Sequence, residues 1–347
     1  MAINLLSIQT AQEQAVLRAF REAIQSVRDQ AVIQEIVRLL EVGNVDGVIE
    51  LLQLDAATFE PLEEAIRQAY RQGGLTGATQ IGAIPLEIGS IPVRFNMALP
   101  TATQWLANLS SRLITEVFDE QRQMVRERLT EAVTRGINPR QSALDLIGRI
   151  DQRTGKRTGG FIGLTSSQAR WVANARDELE GLNSGYFNRQ LRDKRFDSVV
   201  RKAIQEEKPL SKEQVNRIIT SMQARTQQFR GQMIARTESI TALRAGQFEA
   251  ISQAVQKGEL DSRDVLKSWD ASGDARTRLE HLQMEQRYSR ENAIPYDQPF
   301  VSPTGDIAMY PGDSSMGADG SFTIQCRCRL RWTLDFGGQL KRLEGFG

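Results

Sequence analysis

The sequence predicts a mainly α-helical protein: multi-helix N-terminal and middle regions followed by a small C-terminal α+β unit. Three observations carry this. Apolar residues recur at steps of three and four over most of the chain up to Gly258, the spacing that lines one face of a helix. Aromatic residues make up only 6 %, sparse for an aromatic-packed β-sandwich. After Gly258 the helical period gives way to strand-like alternation broken by proline and glycine.

Taken in order, "TAQEQAVLRAFREAIQSVRDQAVIQEIVRLLEV" places Val16, Ala19, Phe20, Ala23, Ile24 and Val27 on one helical face. The glycines of "EVGNVDGVIELLQL" interrupt it. "DAATFEPLEEAIRQAYRQGG" predicts a second helix stopped by the paired glycines Gly73 and Gly74. The next stretch, "IGAIPLEIGSIPVRFNMALP", alternates Ile and Val with Gly and Pro and predicts a hairpin or an extended arm over residues 81–100. "TATQ" then offers Thr101 as a helix cap with Gln104 reaching back. A long helix follows and ends at Gly136, and Asn138 with Pro139 restarts the next one.

"DQRTGKRTGGFIGLTSS" is rich in Gly, Thr and cations and predicts a mobile loop. Its "GKRTGG" lacks the spacing of a phosphate-binding loop and no strand is expected before it. Helices are expected at "SSQARWVANARDEL", "RQLRDKRFDSVVRKAIQ" and "SKEQVNRIITSM", the last with Ser211 and Gln214 spaced as a capping box. The longest late helix begins at "RTQQFRGQMIARTES" and runs to Gly258. Beyond it, "VLKSWDAS" predicts a strand, "RTRLEHLQME" a short helix, and "SFTIQCRCRLRWTLDF" a closing strand. These breaks divide the chain into a helical region 1–100, a middle helical region 101–225 and a terminal domain 226–347.

With 347 residues the chain has ample material for a buried core. Its start has neither the basic opening nor the long apolar stretch of a signal peptide, and no apolar run reaches membrane-spanning length. A soluble protein made in a cytoplasm, away from any membrane, is expected. The net charge of +1 is uneven. Residues 1–110 carry 7 basic and 12 acidic side chains, residues 111–260 carry 26 and 18, and the remainder 11 and 13. The basic middle is compatible with nucleic-acid contact; the plainer reading is a solvated helix surface laced with intrahelical pairs.

Both cysteines, Cys326 and Cys328, and the single histidine, His281, lie in the terminal part. A disulfide between residues two apart would close a strained ring. Residues i and i+2 of a strand share a face, so both sulfurs and His281 are candidate zinc ligands, with Asp274 as a fourth. Against this, structural zinc sites usually space their cysteines more widely, and two reduced thiols packed as small apolar groups is the favoured reading. On the expected strand, Arg327, Arg329 and Arg331 alternate to the opposite, solvated face. No serine motif or second histidine accompanies His281, so a nucleophilic triad has nothing to build on. Within "ARTES", Arg236 and Glu238 are two apart on a helix and cannot pair, which points both toward the Asp274, Arg276 and Arg278 cluster as an ionic latch.

In combination, "MIARTESITALRAG", "KSWDASGDARTRLEH", "QPFVSPTGDIAMYPGD" and "IQCRCRLRW" resemble the phage head morphogenesis family named for the Mu F minor head protein. The resemblance is carried by Arg236, Thr237 and Glu238, by Trp269, Asp274, Arg276, Arg278 and His281, by Pro299, Phe300, Gly305, Pro311, Gly312 and Asp313, and by Cys326, Arg327 and Cys328. It covers residues 230–332, with departures in the loop after His281 and at Gln325, where the family often has Asn. It implies a minor component of a phage virion, near the portal vertex of the head and in the host cytoplasm during assembly. The implied partners are the portal protein, then the major capsid protein or scaffold, then packaged DNA. The implied role is head assembly, with genome packaging or DNA ejection beside it. No cofactor or catalytic residue is implied, and the motif residues would serve as a structural latch or a partner-binding surface. Two rival classes remain: a nuclease or transferase, and an internal DNA-binding protein ejected with the genome.

Overall fold

The computed structural model of the chain describes residues 5–54, 56–82 and 93–335. Among them helices dominate and the strands are few and late, as expected of a mainly α protein with a small α+β unit. The chain forms two compact units. One combines Met1–Leu17, Glu63–Ser110 and Met233–Gly347; the other combines Arg18–Leu62 and Ser111–Gln232. Both are discontinuous, so neither follows the three successive regions expected from composition. No helix of the described residues is long and apolar enough to cross a membrane.

The first helices are α1 (Leu5–Gln30), α2 (Ile33–Glu41) and α3 (Val45–Leu51). The expected single face of the first stretch thus divides near Ala31, and Gly43, with a φ of 70°, turns the chain out of α2. Helix α4 (Glu60–Gly82) runs straight through Gly73 and Gly74, correcting the expected stop. Glycine costs a helix about 1 kcal/mol relative to alanine, but here it gives close approach. A methyl group on Gly73 would overlap the carbonyl of Leu243, and one on Gly77 would sit 2.8 Å from the carbonyl of Gln247. The arm expected over 81–100 lies partly outside the described residues. Its end is packed: the Asn96 amide donates to the Gln253 side chain, which donates back to the Asn96 carbonyl.

Helix α5 (Pro100–Thr134) starts one residue before the expected cap. Thr101 instead donates its hydroxyl to Glu249, and Gln104 turns to Asn108, because the start is closed by the Leu99 carbonyl accepting from Thr103. Gly136, with a φ of 63°, follows its end. Helix α6 (Pro139–Ile147) has Asn138 as cap and Pro139 at its first position, as expected.

The segment expected to be a mobile loop opens with a small antiparallel ribbon of β1 (Arg149–Ile150) and β2 (Arg157–Thr158), so a strand does precede "GKRTGG". Residues 159–164 then run into the core of their unit, where Ile162 and Leu164 are fully buried. Buried loop backbone requires hydrogen-bond partners, and long polar side chains supply them. Gln223 accepts from the Gly160 amide, Gln227 donates to the Gly160 and Ile162 carbonyls, Gln121 clasps Gly163 and Leu164, and Arg28 donates to the Ile162 carbonyl.

Helix α7 (Ser166–Glu180) carries a capping box from Thr165 and Gln168. Helix α8 (Asp197–Gln205) covers only the second half of the helix expected there. Asp193 caps a short 3-10 turn before α8 and binds Arg195 and Ser221, whose hydrogen bonds hold its carboxyl well below the usual range. Helix α9 (Lys212–Gln256) joins the two late helices into one of 45 residues, starting at the Ser211–Gln214 box and ending at Gly258 with a φ of 73°.

The terminal part contains β3 (Val265–Asp270), α10 (Leu279–Arg287), β4 (Ile294–Pro295), β5 (Phe300–Val301), β6 (Ile307–Ala308), α11 (Gly320–Thr323) and β7 (Arg329–Leu334). Strand β3 is central, antiparallel to β4 on one side and to β7 on the other, with Trp269 opposite Leu330 and Asp270 opposite Arg329. Strands β5 and β6 form a separate pair. The expected closing strand is shorter than its alternation implied. Residues 320–323 are helical and Gln325 has a φ of 56°, so pairing starts only at Arg329.

Candidate functional site

The motif residues gather where the middle of α9, the N-terminus of α10 and the segment between α11 and β7 meet, all within one unit. His281 leaves the first turn of α10 and is 2 % exposed. The chain turns at Gln325, whose amide donates to the Thr237 hydroxyl of α9, and this brings both cysteines under the helix. The His281 Nδ1 atom lies 3.3 Å from the Cys328 sulfur and 3.8 Å from the Cys326 sulfur. Its Nε2 faces the Phe322 carbonyl at 3.1 Å. Trp269 and Phe322 meet the imidazole edge-on, with ring centroids 5.7 and 4.9 Å away. Both cysteines are buried and reduced. A hydrogen bond from Cys328 holds the Cys326 thiol below its ordinary range; that same bond, together with burial, pushes Cys328 up.

Around this core one motif arginine binds backbone and two bind side chains. Arg278 donates to the carbonyls of Ile324, at 2.5 Å, and Phe322, at 3.3 Å. Arg327 forms a two-pronged pair with Asp274, whose carboxyl that partner lowers to about 2. Asp274 also accepts from the Arg276 amide, so it closes the turn before α10. This corrects two expectations. Asp274 serves Arg327 and is not grouped with His281 and the cysteines. Arg236 pairs with Glu13 of α1 at 2.9 Å and reaches the Gln325 side chain. The contact of Arg236 is thus not the expected latch to the Asp274 cluster; it joins α9 to α1 and to the cysteine segment, because the turn at Gln325 brings that side chain to α9. Glu238 is nearly buried on α9. Arg329 and Arg331 both pair with Asp270, so they are tied to the sheet edge and not merely solvated.

The Pro311–Gly312–Asp313 turn is a second contact with α9. Gly312 has a φ of 88° and its carbonyl accepts from the Thr241 hydroxyl. Asp313 is buried and accepts the amides of Met309 and Ser315. Pro299 precedes β5, Gly305 lies in the turn between β5 and β6, and Phe300 packs edge-on against Trp269.

Sequence reasoning missed Arg244. Its guanidinium is buried beneath the cysteine segment, donating to the Cys328 carbonyl, to Gln247 and to Gln9 of α1, and burial lowers it to about 10. A cation set in "ITALRAG", between residues of apolar helical spacing, was the available signal.

No family model, curated protein or solved structure matches the chain. The resemblance to the head morphogenesis family rests on the motif residues alone.

Proposed function

We propose that this protein is a minor component of a phage head that binds the portal protein and acts in head assembly, without catalytic turnover. The observation that carries the reading is the convergence of the four resembling segments. They span about a hundred residues, and their polar side chains are used to lock one small unit: Asp274 to Arg327, Arg278 to two carbonyls, Asp313 to two amides, Thr237 to the Gln325 amide. A module closed in this way suits an adaptor, whose remaining surface is left for docking on portal, capsid or scaffold. In this reading the protein resides in the virion head near the portal vertex, after assembly in the host cytoplasm.

The DNA-binding reading draws on the basic middle of the chain. It has weaker support, because Arg135 and Arg176, which line the cleft beside α6 and α7, are already paired with Asp177 and Asp145. The enzyme reading draws on the same Arg, Glu and His residues and requires turnover by the isolated chain.

The test is co-expression of the full chain with the portal protein of the same phage, followed by size-exclusion chromatography across a salt series. Co-elution that persists at high salt is expected. Portal rings that elute free of the chain, or binding only to DNA that weakens steeply with salt, would overturn the reading.

A further inference from the structure

We propose that His281, Cys326 and Cys328 bind one borderline-soft divalent metal ion, zinc in the first instance, which pins the segment before β7 to α10. Zinc bonds to sulfur at about 2.3 Å and to imidazole nitrogen at about 2.0–2.1 Å, so a tetrahedral centre separates nitrogen and sulfur ligands by about 3.5 Å. The two observed separations, 3.3 and 3.8 Å, bracket that value. All three ligand atoms lie within 4.8 Å of one another and all three residues are buried.

The imidazole is oriented for the task. With the Phe322 carbonyl accepting from Nε2, the proton sits on that nitrogen and the Nδ1 lone pair points at the sulfurs. Metal-bound histidines are commonly fixed in this way by a carbonyl behind the ring. The ring cannot swing away, because Trp269 and Phe322 flank it. The cysteine segment is equally held, by Thr237 at the Gln325 amide and by Arg244 at the Cys328 carbonyl. Two protons leave the thiols for solvent when the ion binds, and the resulting pair of thiolates cancels its charge. A neutral cluster is what so buried a site tolerates.

The fourth position is open. A pocket of about 450 Å³ has His281 and both cysteines in its wall, together with the hydroxyls of Ser272, Thr277 and Ser321 and the four arginines of the motif segments, whose positive charge the two thiolates must outweigh for a cation to enter. It gives the ion an entry path and room for a water as fourth ligand. This inference does not depend on the head-assembly reading; a metal-free portal adaptor and a zinc protein of another role are both conceivable outcomes of the two tests.

The experiment uses the full chain, stripped with a chelator under reducing conditions, checked for retained helicity by circular dichroism, and titrated with Co²⁺. A sulfur-to-cobalt charge-transfer band and visible bands of tetrahedral intensity, saturating near one ion per chain and bleached by zinc, are expected. Cys326→Ser and Cys328→Ser should each weaken the band, and zinc should raise the melting temperature of the unmodified chain but not of the double variant. A folded, unmodified chain that develops no charge-transfer band would overturn the proposal without reference to any variant. So would retention of the same zinc content by the double variant.

Discussion

Lys267 lies in the middle of β3 with no exposed surface, its ammonium donating to the Met309 carbonyl at 2.8 Å and lying over the rings of Phe248 and Phe300. Burial lowers its pKa from 10.5 to about 7. A folded-state pKa below the unfolded one means that the unfolded chain binds the proton more tightly. Stability therefore rises with pH between about 7 and about 10 and is lost again as pH falls through that window. Above it Tyr70 and Tyr186, both pushed up by burial, act in the opposite sense. Urea unfolding at about pH 7 and about pH 9.5 should find the wild-type chain more stable at the higher pH. Lys267→Met should flatten that difference by on the order of a few kcal/mol; an unchanged slope would show that the ammonium is solvated. Lys267 shares its strand face with Val265 and Trp269, and Phe248 and Phe300 cover it there. His281 and the cysteines were legible as a candidate ligand set, but the turn at Gln325 that brings them together was not, since a positive φ at glutamine has no sequence signal.

At the scale of elements, the caps and stops were legible because they are local. Asn138 with Pro139, Ser211 with Gln214, Gly136 and Gly258 each act within one turn of helix. Gly73 and Gly246 are the opposite case, since their role lies in a helix distant in sequence. A methyl on Gly246 would overlap the Tyr70 carbonyl of α4, just as one on Gly73 would meet Leu243 of α9. Gly246→Ala should improve helix propensity by about 1 kcal/mol and still destabilise the chain by about 2–3 kcal/mol net, because backbone cannot yield as a side chain can. Chemical denaturation measures this, and a neutral or stabilised variant would mean that the helices are not in contact there. The segment 159–164 was misread for the same reason. Its glycines look like loop residues, and the glutamines that receive it come from α5 and α9.

At the scale of the whole molecule, the terminal residues make contacts with much earlier ones, so the compact unit that holds them is not one continuous stretch of chain. Arg236 pairs with Glu13, Arg244 reaches Gln9, and Trp105 donates to the Tyr310 hydroxyl. A fragment of residues 226–347 lacks all of these partners and the glycine face of α4. Its thermal transition, followed by circular dichroism, should lie more than about 10 °C below that of the full chain or be lost. A fragment that melts with the full chain would restore the terminal region as an independent domain.

The pairing of Glu13 with Arg236 spans 223 positions. At translation rates of about 5–20 residues per second, the first helix leaves the ribosome roughly 10 to 45 s before its partner exists. The unit built from residues 18–62 and 111–232 is fully synthesised in that interval and can close first. The N-terminal part of α1 that belongs to the other unit, with Gln9 and Glu13, meets its partners on α9 only afterwards, so that unit cannot be completed until the last hundred residues have been made.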